Sequence, residues 1–169
     1  MKKDVFIFSK REFEDTMKRF EIYDSNVEKY ENIAFISILC PTDYDTNELF
    51  LDVFSDNEHW FKNEHQNVLN IDFWDIEKEI EYGNGKVLKP FTPEQADEIL
   101  NFIDKNQGKE FLIHCHAGIS RSSAVAYFIR DYYEWVNKEL FDRRYKGNKY
   151  PNQCVFTLLK KAFEKKYYV

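Results

Sequence analysis

Phe111-Leu112-Ile113-His114-Cys115-His116-Ala117-Gly118-Ile119-Ser120-Arg121-Ser122, continued by Ser123-Ala124-Val125-Ala126-Tyr127-Phe128-Ile129, decides how this chain is read. Three apolar residues make a short buried strand that runs straight into His114-Cys115. A loop containing Gly118 follows, and a helix begins at about Arg121 and is expected to reach Val136. Its first turns are apolar nearly all round, which places it inside the fold rather than on its surface. Strand, loop and buried helix in direct succession point to an α/β domain. In such sheets ligands bind beyond the carboxyl ends of the strands, and Cys115 stands at such an end.

The flanking sequence repeats the pattern. Val5-Phe6-Ile7-Phe8 reads as a short buried strand, and Lys10 to Phe20 carries Phe13, Met17 and Phe20 at helical spacing. Ile33 to Leu39 is a continuous apolar strand stopped by Cys40-Pro41. Thr42 to Asn67 has no firm period and reads as a long connection with one short helix around Glu58–Glu64. Val68 to Phe73 is a further strand, followed by a polar segment through Gly83-Asn84-Gly85. Thr92-Pro93-Glu94-Gln95 is a capping box with proline at the first helical position, and Ala96, Ile99, Leu100 and Ile103 form the buried face of that helix. After a polar turn region, Asn152 to Phe163 makes a last amphipathic helix. The expected fold is α/β: one domain over residues 1–169, with a central, mainly parallel sheet of four to five strands flanked by helices.

Composition narrows the function classes. A hydrophobic fraction of 43% over 169 residues supplies one core, and 32% charged residues with few Gly and Pro exclude a disordered chain. The formal net charge of -6 and a pI near 5.3 argue against a nucleic-acid partner. Charge is uneven: Asp43 to Glu81 is acidic, whereas Arg143 onward is basic. The three cysteines, Cys40, Cys115 and Cys154, form no CxxC or Cys/His metal pattern, which suits a reducing compartment. No signal-type leader is read at Met1, and no apolar run approaches the roughly 18 residues of a membrane span. The expectation is a cytoplasmic protein needing neither membrane, metal nor cofactor. His59, His65 and Glu64 are read as exposed polar residues rather than metal ligands.

The chemistry lies in residues 114–122. Cys115 and Arg121 are separated by five residues, with Gly118 between them and a helix start at the end. A loop closing onto a helix N-terminus aims several backbone N–H groups at one point, where the positive end of the helix dipole adds to them. Such a cradle binds a phosphate dianion. It also stabilises a thiolate, bringing a cysteine from about 8.5 into the roughly 3.5–7.5 range of activated thiols. The planar Arg121 guanidinium can grip two phosphate oxygens. Ser122 can donate a hydrogen bond to the Cys115 sulfur when sulfur becomes the leaving group.

These residues resemble the signature of the protein tyrosine phosphatase superfamily, HCxxGxxR followed by Ser or Thr, with His114, Cys115, Gly118, Arg121 and Ser122 at the fixed positions. Ser37-Ile38, Phe73-Trp74-Asp75-Ile76, the helix after Thr92 and Pro151-Asn152 are similar to landmarks of compact bacterial-type tyrosine phosphatases. The short chain matches the dual-specificity size class. The acidic stretch from Thr42 to Asn67 departs from that pattern.

The resemblance implies a protein tyrosine phosphatase-like fold and metal-free hydrolysis of phosphomonoesters through a phosphocysteine. Cys115 would be the nucleophile, and His116, Ala117, Gly118, Ile119, Ser120 and Arg121 the phosphate cradle, with His114 orienting the loop. It also implies an Asp on an upstream loop as general acid. Asp75 fits best because it lies past the strand end, with Asp72 in reserve. Phosphotyrosine, or phosphoserine and phosphothreonine, in a protein substrate is the expected target, with phosphate, sulfate or vanadate able to occupy the site. The loop has no lysine, which weighs against lipids. An inactive phosphate-binding module, a phosphatase of RNA 5′-triphosphate, and a sulfur-transfer or arsenate-reducing thiol enzyme are the alternatives. Cys40 is read as a buried structural thiol or a redox partner for Cys115, and Cys154 as core. Tyr44, Phe50, Trp60 and Phe61 are candidates for a wall of the pocket.

Overall fold

The computed structural model of the chain describes residues 1–41, 58–83 and 85–168. Its elements run β1 (Val5–Phe8), α1 (Lys10–Arg19), β2 (Ile33–Leu39), β3 (Val68–Asp72), β4 (Ile80–Tyr82), β5 (Lys86–Leu88), α2 (Pro93–Lys105), β6 (Glu110–His114), α3 (Arg121–Tyr132), α4 (Lys138–Tyr145) and α5 (Gln153–Tyr167). Four strands form one sheet in the order β1-β6-β2-β3, with every neighbouring pair parallel. The other two make a separate antiparallel hairpin. This is the expected α/β class.

Both faces of the sheet are covered, which is why β2 reads as an unbroken apolar run. Ala34, Ile36 and Ile38 of β2 and Phe111 and Ile113 of β6 meet Ile99 and Leu100 of α2, Val125 and Phe128 of α3, and Leu159 of α5. Phe35 and Leu112 point the other way, toward Phe13 and Met17 of α1 and toward Phe61. The helix starts follow from capping: Ser9 with Glu12 before α1, Thr92 with Gln95 before α2, and Asn152 before α5. Gln95 also donates through Nε2 to the Asp72 carbonyl at 2.9 Å, tying α2 to the end of β3.

Four local expectations are corrected. Residues 58–64 form no helix. The N–H groups of Lys62 and Asn63 donate instead to the Asp24 carboxylate, and Trp60 Nε1 donates to the Ile22 carbonyl at 2.8 Å, so side-chain contacts replace a helical ladder. The helix after Arg121 ends at Tyr132, because residues 135–137 leave it to bond with Lys3: Lys3 N–H donates to the Trp135 carbonyl and Asn137 N–H to the Lys3 carbonyl, both at 2.8 Å. The polar turn region beyond contains α4, capped by Asn137 and anchored by Phe141 and Tyr145 at i, i+4 spacing. The polar segment before Thr92 contains the β4–β5 hairpin, whose Gly83 and Gly85 both take positive φ.

Candidate active site

Cys115 follows the last residue of β6, and the loop after it closes on the first turn of α3, which carries no acidic residue. The sulfur is ringed by donors: Ser122 Oγ at 3.1 Å and Gly118 N–H at 3.3 Å. Burial pushes the thiol up, for Cys115 is 2% exposed. The Arg121 guanidinium and the donors on Ser122 and Gly118 outweigh that and hold it below the ordinary thiol value. Cys40 shows the contrast: burial raises its thiol, and Arg121 only partly offsets this.

Arg121 is 4% exposed. Its Nη1 donates to the Phe73 carbonyl at 2.9 Å and to Cys40 Sγ at 3.4 Å, whereas its buried Nε has no partner among the described residues. An unsatisfied buried guanidinium N–H is costly, and an oxyanion in the loop would satisfy it.

Gly118 has φ of +71°, and a Cβ there would lie 2.5 Å from the Ser9 backbone nitrogen and 2.6 Å from the Phe8 carbonyl carbon. The loop is thus pressed against the β1–α1 junction, where Lys10 N–H also donates to the His116 carbonyl at 3.0 Å. Sequence reading asked for a turn at Gly118; the close approach of β1 adds a second requirement. On the opposite flank, Lys149 Nζ donates to the Gly118 carbonyl at 2.7 Å, and the N–H groups of Tyr150 and Asn152 donate to the carbonyls of Ile119 and Ser120. His116, Ala117 and Ile119 are exposed around the loop, and Ser120 is half-buried.

Asp75 and Asp72 part company. Asp75 lies on the loop after β3 and, with Cys115, His116, Ala117 and Arg121, lines a cleft of about 480 Å³. Its Oδ1 accepts from Ser120 Oγ at 2.7 Å and from Asn152 Nδ2 at 2.9 Å. Asp72 ends β3 and pairs with His59, 2.6 Å from its Nε2. His114 is buried beneath the loop, its ring 4.4 Å from that of Phe13. Its Nδ1–H donates to the Cys115 carbonyl at 3.1 Å. Burial pushes its basicity down to about 3, so the ring is neutral.

The remaining wall of the cleft comes from Cys40, Trp74, Ile76, Ile80, Tyr82 and Leu88. Ile80 faces Leu88 across the hairpin, and Tyr82 shares their face two residues on. Tyr44 and Phe50 lie outside the described residues. Trp60 and Phe61 do not line this cleft: Phe61 is fully buried against Phe13 and Phe35, and Trp60 stacks on Tyr23. His59 and His65 are partly buried and paired with Asp72 and Asp24, not exposed. Cys154 is half-buried against the main core. Sequence reading missed the hairpin wall and the role of Asn152, whose capping side chain also reaches Asp75. The cap was readable from Pro151-Asn152, but the contact across the fold had no sequence signal. Among the described residues no group of three or more His, Cys, Asp or Glu side chains could hold a metal, and no helix is long and apolar enough to cross a membrane.

No family model matches the chain, and no curated protein matches it. Among solved structures it is similar to the PTP-2 phosphatase of Cydia pomonella, at 16% identity over 94% of this chain and 84% of that one, with a TM-score of 0.48. It is also similar to Tk-PTP in its active form, at 20% identity over 85% of this chain and 87% of that one, with a TM-score of 0.41. The first of these is named a phosphatase. Within this chain itself, Cys115 is buried with Arg121 beside it, at the spacing of a Cys-x5-Arg motif.

Proposed function

We propose that this chain is a cysteine-dependent phosphatase that hydrolyses phosphomonoesters through a phosphocysteine, with phosphotyrosine in proteins as the favoured substrate and phosphoserine or phosphothreonine as the next. The observation that carries this reading is the pairing, in one cleft, of a thiol lowered by its surroundings with a buried guanidinium N–H that has no partner among the described residues. A bound phosphoryl group answers both features.

In the first step the Cys115 thiolate attacks phosphorus in line and the ester P–O bond breaks as Asp75 delivers a proton to the departing oxygen. The loop amides of residues 116–120 and Arg121 hold the equatorial oxygens. In the second step water attacks phosphorus, Asp75 takes its proton, and the P–S bond breaks with Ser122 Oγ–H donating to the released thiolate. No metal or cofactor enters this scheme. The apolar wall of Trp74, Ile76, Ile80, Tyr82 and Leu88 favours an aromatic leaving group over a sugar or inositol ring. Three free cysteines, one of which must stay a thiolate, suit a reducing cytoplasm.

The test is a panel of phosphotyrosine, phosphoserine and phosphothreonine peptides, phosphoinositides and RNA 5′-triphosphate, with Cys115→Ser as control. Phosphotyrosine turnover abolished by Cys115→Ser is expected. Turnover surviving that change would overturn the mechanism. Vanadate binding without turnover of any substrate would make the chain an inactive phosphate-binding module.

A further inference from the structure

Beneath the nucleophile loop, on the α1 side of the sheet, four side chains form one hydrogen-bonded chain. Asp72 Oδ1 lies 2.6 Å from His59 Nε2, His59 Nδ1 lies 2.6 Å from Ser37 Oγ, and Ser37 Oγ lies 2.6 Å from His114 Nε2. The chain ends where His114 Nδ1 meets the Cys115 carbonyl. Ser37 and His114 face each other in register on neighbouring strands, and both are 1% exposed.

The directions of these bonds follow from chemistry. A carbonyl only accepts, so His114 donates through Nδ1–H. A neutral imidazole that donates through Nδ1 must accept at Nε2, so the Ser37 hydroxyl proton points there. Ser37 Oγ then accepts from His59 Nδ1–H, and at the far end the Asp72 carboxylate can only accept, so His59 donates from both ring nitrogens, through Nδ1–H to Ser37 Oγ and through Nε2–H to Asp72 Oδ1. The directions are thus fixed by the two acceptor-only ends, the Cys115 carbonyl and the Asp72 carboxylate.

We propose that His59, anchored by Asp72 and acting through Ser37, is a positioning residue for the nucleophile loop: it selects the His114 tautomer that holds the Cys115 carbonyl. In the opposite tautomer the Nδ1 lone pair of His114 would confront that carbonyl oxygen at 3.1 Å, and the base of the loop would have to move. Because C=O and N–H of a trans peptide point in opposite directions, a carbonyl held on the His114 side turns the His116 N–H away from it, toward the opposite side of the loop. The relay therefore tunes the donor field that favours the thiolate. It also assigns Asp72 work distinct from acid catalysis.

The inference rests on Cys115 being the reactive thiol, so its test reads that thiol directly and does not require hydrolysis. The rate of iodoacetamide labelling at Cys115, followed by peptide mass mapping to separate it from Cys40 and Cys154, is measured against pH for His59→Leu, His59→Asn and Ser37→Ala. Asn can place an amide donor where the histidine carries Nδ1. His59→Leu and Ser37→Ala are expected to shift the labelling midpoint upward by about one pH unit, the scale of one lost hydrogen bond. They are also expected to lower kcat about tenfold with KM little changed, whereas His59→Asn stays near wild type. An unchanged midpoint in Ser37→Ala, or His59→Asn as impaired as His59→Leu, would overturn the proposal. If His59→Leu does not fold, Ser37→Ala decides by the same readout. A wild type that labels normally but hydrolyses nothing refutes the phosphatase reading and leaves the relay standing.

Discussion

Ser120 Oγ donates a hydrogen bond to Asp75 Oδ1 at 2.7 Å, joining the last residue before α3 to the loop that follows β3. The contact draws the proposed general acid to the rim of the cleft in which Cys115 lies. Asn152 donates to the same oxygen from the start of α5, so three segments distant in sequence meet on one carboxylate.

Asp75→Asn should lower kcat about 10²–10⁴-fold and flatten the alkaline side of the pH profile, since a general acid must begin protonated. Asp72→Asn should leave that alkaline limb in place. Steady-state kinetics between about pH 5 and 9 with an aryl phosphate compare the two, and an alkaline limb lost with Asp72 instead would move the assignment.

Arg121→Lys keeps a positive charge but loses the planar fork, including the Nε that has no partner among the described residues. A fall in kcat of roughly 10²–10³ is expected, with weaker vanadate inhibition. Equal vanadate affinity in variant and wild type would show that the guanidinium does not hold the oxyanion.

Gly118→Ala combines a positive φ with a Cβ lying inside the backbone of Phe8 and Ser9. The loop or the β1–α1 junction must shift, which should cost more than about 2 kcal/mol and remove activity. Urea unfolding measures the first effect, and an unchanged midpoint would contradict the close approach.

His114 should make the protein acid-sensitive. Burial pushes its folded-state basicity down to about 3, against about 6.5 in an unfolded chain. The unfolded chain therefore binds a proton that the folded one refuses, so the stability contributed by neutral His114 is complete above about pH 6.5 and lost as pH falls toward 3. The expected slope is about 1.4 kcal/mol per pH unit. Between about pH 6.5 and 4 it precedes the loss from Asp24, Asp104 and Asp142, whose carboxyls are held below the ordinary range. Denaturant unfolding at several pH values should show this slope in the wild type and a flatter one in His114→Asn.

Hydrophobic period and helix caps are local signals, and they located β1, β2, β3, β6 and the starts of α2 and α5 from sequence. The elements missed were short ones. α4 has only two buried residues, and β4 and β5 are three residues each, with Glu79 and Glu81 obscuring any apolar face. The absent helix at Glu58–Glu64 failed for the converse reason: adjacent Trp60 and Phe61 are both drawn inward by partners remote in sequence. Likewise His59 looked like a surface residue because nothing near it in the chain shows that Ser37 and Asp72 await it.

What the sequence by itself determined is the loop of residues 114–122. Cys115, Gly118, Arg121 and Ser122 act on one another within a few residues, and a strand end, a tight turn and a helix start are each encoded locally. Only the tertiary structure decided what surrounds that loop. Asp75 was separated from Asp72 by contacts with Ser120 and Asn152, and the cleft received its apolar wall from a hairpin that carries no motif. The chain joining Asp72 to the Cys115 carbonyl arose because parallel strands put Ser37 beside His114. Spacing along the chain encodes a loop closed on itself, whereas partners brought together by sheet register and packing have no fixed separation to read.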